Sequence, residues 1–307
     1  MNKKIVITGA TGLIGKRLIP LLKSRNDEVI VFTRSVEKAQ SEAPQADKYV
    51  NFDYSTPGEW QNTIDGSNII IHLAGANIAA KRWSLEYKKV IYDSRINSTK
   101  ALVDAMKKAR NRPELFICAS ASGYYGDRGH ESLKEDSSAG NDFLANLCID
   151  WEKEAAKVED LSIRRISLRT GVVLSKDEGA LKRMLTPYKF YVGGPIGTGK
   201  QYFPWIHIQD YLNIILFCID NPTISGPVNA AAPETVSMYK FADILGLVIE
   251  KPSMFEVPKL FLKIALGEIA DSLVASQRVI PKKLKDAGFE FKYPNADRAL
   301  RNLLPEP

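Results

Sequence analysis

A glycine-rich loop near the N-terminus constrains the fold of this chain more than any other feature. The loop reads TGATGLIG over residues 8–15, and it lies between an apolar strand and a segment with helical periodicity. Glycines at such a turn let the backbone approach a pyrophosphate, whose charge the free N–H groups of a helix N-terminus can meet. A tight glycine turn without a ligand is the alternative. We predict a dinucleotide site that includes Gly9, Thr11, Gly12, Leu13 and Ile14.

Apolar, β-rich runs alternate with helical patterns through the first half of the chain. Six strands can be read, at approximately residues 4–8, 28–33, 48–52, 68–73, 115–120 and 162–168. This alternation is typical of βαβ units, in which helices connect parallel strands and cover both faces of the sheet. We therefore predict an α/β fold with a Rossmann-type, doubly wound parallel sheet.

The alternation ends after Thr170, where short elements and a glycine- and proline-bearing stretch, GGPIGTG (residues 193–199), follow. A smaller C-terminal substrate lobe is expected to begin there. We predict a nucleotide-binding domain over residues 1–170, to which the chain can return later, and mainly a substrate lobe over residues 171–307. No repeat, low-complexity tract or long linker separates the two, so they should pack closely.

The residue at the end of the second strand indicates whether the predicted site binds NAD(H) or NADP(H). NAD binders place an acidic residue there, on the ribose hydroxyls. This chain has Arg34 instead, and a guanidinium can pair with the 2′-phosphate that a carboxylate would repel, which favours NADP(H). An ordinary surface role for Arg34 is the alternative.

The third and fourth strand ends complete the predicted nucleotide cleft, because ligands of open α/β sheets lie along the carboxyl ends of the strands. Asp53, after the third strand, is well placed to accept a hydrogen bond from the adenine amino group, although an Asp at a strand end often only forms a turn. The residues expected at this side of the cofactor are Asp53, Tyr54, Leu73, Ala74 and Gly75.

The bulk composition argues against several classes of function. The net charge of +6 comes from basic residues scattered along 307 positions, which suits a small-molecule anion better than nucleic acid. No apolar run reaches membrane-spanning length, and the N-terminus lacks the pattern of a secretory signal. The three cysteines are far apart, as is usual for reduced cytosolic thiols, so we expect a cytoplasmic protein.

Longer motifs make the chain resemble the extended short-chain dehydrogenase/reductases, the NAD(P)-dependent epimerase/dehydratase group. These motifs are HLAG (residues 72–75), SASGYYG (120–126) and GTGKQYFPWIHIQD (197–210). Within the group the chain looks like an atypical branch, usually labelled epimerase family protein and sometimes cell-division-inhibitor homologue. The features typical of that branch are Lys81-Arg82-Trp83, Ser94-Arg95, Cys148 with Trp151-Glu152, Ser276-Gln277-Arg278-Val279 and Pro281.

The resemblance implies a Rossmann-type domain with NADP(H) and a C-terminal substrate lobe. It also makes a homodimer possible, since members often pair through the helices after the fourth and fifth strands. Typical members carry Tyr-x-x-x-Lys on the helix after the fifth strand, where the lysine lowers the pKa of the tyrosine so that the phenolate can take a proton. The corresponding residues here, 142–152, contain no tyrosine, and Leu144 and Cys148 stand about where the pair would be.

Two hypotheses follow from the missing pair. The chain is an oxidoreductase or epimerase with relocated acid–base groups, acting on an unidentified small, anionic substrate. Alternatively, it is a catalytically silent NADP(H)-binding module with a regulatory or interaction role.

If the chain is an enzyme, its catalytic groups should lie at the end of the fifth strand. Ser120 or Ser122 matches the substrate-polarising serine of the family, and one extra residue before Gly126 leaves the register open. Tyr125 is a candidate acid and Tyr124 a candidate substrate contact, but no adjacent lysine would lower a tyrosine pKa. The alternative for Tyr125 is a packing role in the pocket wall.

An arginine and a histidine are the other candidate substrate contacts. Arg95 is favoured as the partner of an anionic substrate, and His207 titrates in a useful range, although its segment is chiefly structural in the family. A cluster of further cations after the fourth strand suits either an anion or a solvated helix face, and it comprises Lys81, Arg82, Lys88 and Lys89.

The other histidines do not indicate a metal site. His72 is expected inside a buried strand and His130 in a polar loop, and neither has the neighbours of a metal ligand.

Overall fold

The computed structural model describes residues 2–304. In these residues the strands are β1 (Lys4–Thr8), β2 (Glu28–Thr33), β3 (Lys48–Asn51), β4 (Ile69–His72), β5 (Leu115–Ala121), β6 (Ser132–Leu133), β7 (Arg164–Thr170), β8 (Val172–Leu174), β9 (Tyr202–Phe203), β10 (Trp205–His207), β11 (Gly226–Ala230), β12 (Val236–Ser237) and β13 (Arg278–Val279). Seven of them form the central sheet, in the order β11-β7-β5-β4-β1-β2-β3. Neighbouring strands of that sheet are parallel throughout.

Helices connect the strands and cover the sheet. The α-helices in the described residues are α1 (Gly15–Ser24), α2 (Val36–Glu42), α3 (Glu59–Ile64), α4 (Leu85–Lys108), α5 (Phe143–Ala156), α6 (Ala180–Lys189), α7 (Ile208–Asp220), α8 (Met238–Val248), α9 (Lys259–Leu266), α10 (Ile269–Leu273), α11 (Lys282–Asp286) and α12 (Ala296–Leu303). Short 3₁₀ helices lie at Ser122–Tyr125 and Glu159–Leu161.

Two hydrophobic cores lie on opposite faces of the sheet, because successive strand side chains point to opposite sides. Ile5 and Ile7 pack with the side chains of α1 and α7 in one core. Val6, between them, packs in the other core with residues of α4 and α5. This arrangement is the predicted doubly wound α/β fold.

The six predicted strands are all present, and their ends differ from the prediction by at most two residues. A seventh strand, β11, was missed because its sequence, GPVNA, carries the glycine and proline that usually mark a turn. β11 pairs with β7, so the chain returns to the sheet after leaving it at Thr170.

The rest of the chain after β7 forms short paired strands and helices. β8 pairs with β10, and β9 pairs with β12. Among residues 2–304, no helix combines the length and the apolar character that crossing a bilayer requires.

Candidate functional site

The glycine loop brings the ends of β1 and β4 close together. Gly9 has a φ of +72°, and a Cβ on it would lie 2.8 Å from the carbonyl carbon of Leu73. Glycine is therefore required at this position by both the backbone angle and the available space. The N–H of Gly12 donates to the carbonyl of Gly9 at 3.0 Å, which closes the turn. A Cβ on Gly15 would lie 2.5 Å from Ala10 Cα, so α1 begins directly against the loop.

The N-terminus of α1 has neither a side-chain cap nor an acidic residue in its first turn. Most other long helices of the chain are capped by a serine, aspartate, histidine or asparagine side chain. The first N–H groups of a helix have no intrahelical acceptor, and its dipole favours an anion there. The start of α1 is therefore suited to a phosphate group.

Arg34 and Asp53 follow β2 and β3 at the same edge of the sheet. Arg34 is exposed, and it forms no ion pair within residues 2–304. The carboxylate of Asp53 accepts hydrogen bonds from Ser55 Oγ at 2.6 Å and from the Ser55 N–H at 2.9 Å, and these bonds hold its pKa below the usual range. Asp53 thus forms a turn in this structure, while Tyr54 packs on Phe52 with ring centroids 6.4 Å apart.

A buried histidine fixes the loop after β4. Thr8 Oγ1 accepts a hydrogen bond from the Ala74 N–H at 3.2 Å and lies 2.6 Å from His72 Nδ1, to which it can donate. The opposite ring nitrogen, Nε2, lies 3.1 Å from Ser98 Oγ, whose own proton goes to the carbonyl of Ser94. Burial lowers the pKa of His72 to about 3, so the ring is neutral, and these partners assign its proton to Nε2. His72 lies in a buried strand, as predicted.

Arg95 supports the same loop from α4. Its Nη1 donates to the carbonyl of Ala76 and to that of Ile91, both at 3.1 Å. The guanidinium lies 5.3 Å from the Trp151 ring centroid, and a Cβ on Gly75 would come within 3.0 Å of it. Burial lowers the pKa of Arg95, which pairs with no carboxylate in the described part of the chain. Its contacts give it a structural role in the loop.

Ser120, Glu152 and Arg169 form a buried polar network at the end of β5. Ser120 Oγ donates to Glu152 Oε1 at 2.7 Å. Arg169 on β7 donates to both oxygens of Glu152 at 2.9 Å, in a bidentate pair. The sequence analysis missed this network, although arginines in a predicted sheet strand, RRISLRT, and a glutamate on the preceding helix were its signal. Ser120 is thus hydrogen-bonded inside the protein rather than free for a substrate.

Tyr125 belongs to the same network. Its side chain is fully buried, and its hydroxyl accepts from Arg169 Nη1 at 3.0 Å and can donate to Asn229 Oδ1 at 2.7 Å. Burial raises the pKa of Tyr125 to about 12. These contacts argue against an acid role and for the packing role. Tyr124 is half-buried, and the Arg169 guanidinium carbon lies 3.4 Å from its ring centroid in a cation–π contact.

Leu144 and Cys148, the residues of α5 that the resemblance aligns with the Tyr-x-x-x-Lys pair, lie against the end of β5. A Cβ on Gly123 would lie 3.2 Å from Leu144 Cβ, and Cys148 Sγ is 3.8 Å from the carbonyl of Ala121. Burial raises the pKa of Cys148 to about 12, so it carries no thiolate at neutral pH. Ser122, beside them, is buried, and its hydroxyl makes no hydrogen bond to another residue in the range 2–304.

His207 caps α7 and lies in a different part of the molecule. Its Nδ1 accepts from the N–H of Gln209 at 3.0 Å, so Nε2 carries the proton and donates to Asn302 Oδ1 at 3.1 Å. Burial lowers its pKa to about 4, and its ring centroid is 3.8 Å from that of Tyr293. It lines a separate cavity of about 500 Å³ with Lys16 and Arg17 of α1. Both ring nitrogens are occupied, so this geometry does not support a substrate contact.

A larger cavity of about 690 Å³ lies between residues 77–82 and helices α6, α8, α9 and α10. It is next to the nucleotide side of the sheet, since residues 77–82 continue the loop after β4. Gly179, another lining residue, would bring a Cβ within 3.6 Å of Leu13 Cδ2. The walls are mostly apolar, and three cations contribute to them, which are Lys81, Arg82 and Arg183. The described residues contain no group of His, Cys, Asp and Glu side chains arranged for a metal ion.

Comparison with known proteins places this geometry in a family. The model of the NAD dependent epimerase/dehydratase family matches residues 5–231, and a domain of unknown function, DUF1731, matches residues 257–303. An Arabidopsis thaliana protein named epimerase family protein SDR39U1 homolog, chloroplastic, is 39% identical over 98% of this chain and 86% of its own.

Two solved structures are similar over 99% of the chain. The human epimerase family protein SDR39U1, crystallised with NADPH, has a TM-score of 0.88 and 29% identity, with 100% of that chain covered. A nucleoside-diphosphate sugar epimerase from Corynebacterium glutamicum has a TM-score of 0.78 and 32% identity, with 58% of that chain covered.

Proposed function

The chain belongs to the NAD dependent epimerase/dehydratase family, and we propose that it binds NADP(H) and uses it in an oxidoreductase or epimerase reaction on a small anionic substrate. One observation carries the cofactor proposal. The uncapped start of α1 and Arg34, which has no ion-pair partner among residues 2–304, follow adjacent parallel strands at the same end of the sheet, so together they can bind a pyrophosphate and a 2′-phosphate.

Each part of the cofactor has matching residues. The N–H groups of the loop that contains Gly9, Thr11, Gly12, Leu13 and Ile14 would hold the pyrophosphate, and Arg34 the 2′-phosphate. Asp53 and Tyr54 would border the adenine. Leu73, Ala74 and Gly75 would border the nicotinamide half, on a loop that His72 and Arg95 keep in position. When bound, the nicotinamide supplies a hydride donor or acceptor.

Ser122 is the side chain that we propose polarises the substrate. The Ser120 hydroxyl donates a hydrogen bond to Glu152. The Ser122 hydroxyl has no hydrogen-bond partner in residues 2–304 and can donate to a substrate oxygen. Arg95 would act as a positioning residue through the loop rather than as a direct substrate contact. The elements after Thr170 other than β11 would form the substrate lobe, with the apolar cavity between this lobe and the nucleotide domain.

A catalytically silent NADP(H)-binding module is the second candidate function. The observation in its favour is that Leu144 and Cys148 of α5 lie against the end of β5. Neither side chain can act as an acid or base at neutral pH. The two functions differ in one assay, in which purified protein and NADPH are screened against carbonyl compounds. Loss of nicotinamide absorbance supports the enzyme. Tight NADPH binding without turnover of any of the carbonyl compounds supports the silent module.

Arg34→Asp tests the cofactor proposal. We expect NADPH to bind about tenfold to hundredfold more weakly, because a charge-assisted contact of about 1.5–3 kcal/mol is lost and a repulsion added. NADH should bind with nearly unchanged affinity. Calorimetric titration of both cofactors measures the difference, and Lys100→Asp on the exposed face of α4 is the matched control. Equal losses of affinity for NADPH and NADH would show that Arg34 does not bind the 2′-phosphate.

We also propose a cytoplasmic location, which the three buried, free cysteines support, because exposure to an oxidising compartment usually selects for disulfides. A homodimer is proposed on family analogy alone.

A further inference from the structure

We infer that the substrate is an amphipathic anion, a small molecule with an extended apolar body and one anionic head group, which binds in the cavity of about 690 Å³. This inference rests on the proposed function, because it takes the cavity as the substrate side of the NADP(H) site. It narrows the substrate from a small anion of any kind to one class.

The cavity walls match an apolar body. Met184 of α6, Phe241 and Leu245 of α8, and Leu262 of α9 all line it. Tyr188 contributes a ring rather than a free hydroxyl, since its Oη is already within hydrogen-bond distance of the Ala242 carbonyl at 3.0 Å and of Ser253 Oγ at 3.1 Å. Each CH₂ group of a ligand that such a site removes from water contributes to the affinity.

Cations without acidic neighbours match the head group. Lys81, Arg82 and Arg183 line the cavity, and no Asp or Glu lines it within the described part of the chain. None of the three takes part in an ion pair in residues 2–304. Arg82 is held at the C-terminal end of α9, where its Nη2 is 3.4 Å from the Lys263 carbonyl. The positive charge is therefore available to an anion.

A nucleotide sugar fits these walls poorly. Its hydroxyl groups would be removed from water against Met184, Phe241 and Leu245, and burying a hydroxyl without a hydrogen-bond partner is unfavourable. Asn77 is the one uncharged side chain among the described lining residues with a free amide for them. The apolar walls thus select against nucleotide sugars.

Helix α9 forms one wall of the cavity with one of its faces and is exposed on the other. Leu262, Ala265 and Leu266 line the cavity, while Leu260 and Ile264 on the other face are 66% and 64% exposed. No residue of α9 is fully buried, and the ion pairs of Lys259 and Lys263 with Asp271 hold it to α10, so both helices border the cavity together.

Direct binding tests the inference without requiring turnover. The probe is dansyl-undecanoic acid, a fluorescent carboxylate, titrated into the full chain with saturating NADP⁺. We expect saturable binding that dodecanoate and dodecyl phosphate displace, and that dodecanol and UDP-N-acetylglucosamine do not. A difference between the first two competitors distinguishes a carboxylate head from a phosphate head. These competitions use the unmodified protein, so they do not depend on how any variant folds.

Two variant pairs locate the site. Arg183→Gln should weaken the probe about tenfold through loss of a charge-assisted contact, whereas Lys182→Gln, next to it but outside the cavity lining, should not. Ala265→Trp should fill the cavity and weaken the probe at least about tenfold, whereas Ile264→Trp on the outer face of the same helix should not. Thermal unfolding of all four variants verifies that they are folded.

The outcomes separate the two proposals. Displacement by UDP-N-acetylglucosamine, displacement by dodecanol as strong as by dodecanoate, or equal affinities within both variant pairs would overturn the amphipathic substrate. Concentration-dependent dimerisation that excludes the probe would overturn it too, because a second copy would then cover the cavity. Probe binding by a protein that does not bind NADPH would overturn the proposed function and leave the cavity assignment standing.

Discussion

Polar side chains differ in their pairing at two places along the carboxyl ends of the central strands. We call the ends of β1 and β2, with the glycine loop and Arg34, the nucleotide edge, and the ends of β5 and β7, with Ser120 and Arg169, the β5–β7 edge. After β1 and β2, the start of α1 is uncapped and Arg34 is unpaired within the described residues. At the ends of β5 and β7, Ser120 and Arg169 both hydrogen-bond to Glu152 of α5, and all three residues are buried. Both edges lie at the carboxyl ends of adjacent parallel strands, so topology alone does not explain the difference. The groups without partners are those we propose for cofactor binding, and the mutually hydrogen-bonded groups are those we expect to support the fold.

Removing Glu152 should have the largest effect on stability. Glu152→Ala leaves the buried Arg169 without its bidentate partner, and breaking a buried ion pair typically costs about 3–5 kcal/mol of unfolding free energy. Glu268→Ala, which breaks the exposed pair with Lys88, should cost less than about 1 kcal/mol. Urea unfolding at neutral pH measures both. Similar values for the two variants would mean that the network does not support the fold.

Acid should lower the stability of the folded protein through His72, at the end of β4. Its folded pKa of about 3 lies below its usual value of 6.5, so the folded state favours the neutral ring, and its contribution to stability is complete above pH 6.5 and lost as the pH falls towards 3. The free energy of unfolding should fall by about 1.4 kcal/mol per pH unit from this group, well below pH 6.5.

His207 should add to that slope, because burial lowers its pKa to about 4. His207→Asn keeps a residue that can cap α7 but cannot titrate, so its unfolding free energy should depend less steeply on pH. Urea unfolding at pH 7, 6 and 5 supplies the comparison. A flat profile for the unmodified chain over this range would contradict the assignment of neutral, buried histidines.

Gly9→Ala should damage the nucleotide edge more than its backbone angle alone predicts. Gly66 has a similar φ, +77° against +72° for Gly9, but a Cβ on Gly66 would meet nothing within 4 Å. We expect Gly66→Ala to cost about 1 kcal/mol, and Gly9→Ala to cost about 2–3 kcal/mol, with weakened NADPH binding, since its Cβ would displace the backbone at Leu73. Equal stabilities and equal NADPH affinities would show that the close approach is unimportant.

Serine replacements give the smallest and sharpest contrast at the other edge. Ser120→Ala removes a buried hydrogen bond to a carboxylate and should cost about 1.5–2 kcal/mol. Ser122→Ala removes a hydroxyl without a protein partner in residues 2–304 and should change stability by less than about 0.5 kcal/mol. Once a substrate is known, only Ser122→Ala should lower kcat without altering the NADPH affinity. The reverse pattern would exchange the roles of the two serines.

The sequence predicted the elements that depend on local patterns. β1 and β2 have the predicted ends, because each is an apolar run bounded by turn residues. The glycine loop could be placed because its function requires glycine at fixed positions. β11 could not, since its glycine and proline resemble a turn and only pairing with β7 makes it a strand.

The missing parts of the candidate site depend on long-range contacts. Glu152 and Arg169 are on different elements, and their pairing is set by how α5 crosses β7. The apolar cavity is formed by side chains separated by more than a hundred residues along the chain, such as Arg82 and Leu262. Periodicity shows which face of a helix is apolar, but not whether that face meets a core or encloses a cavity.

The return of the chain to the sheet at β11 has a consequence for folding and for truncation. Until residue 230 has left the ribosome, β7 is an edge strand whose outer N–H and C=O groups are unpaired. We expect a fragment that stops at Thr170 to present that edge to other copies and to aggregate, even though it contains six strands of the central sheet and the whole glycine loop. Because β11 completes the sheet, we expect a chain that extends through residue 230 to be more soluble than one that stops at Thr170.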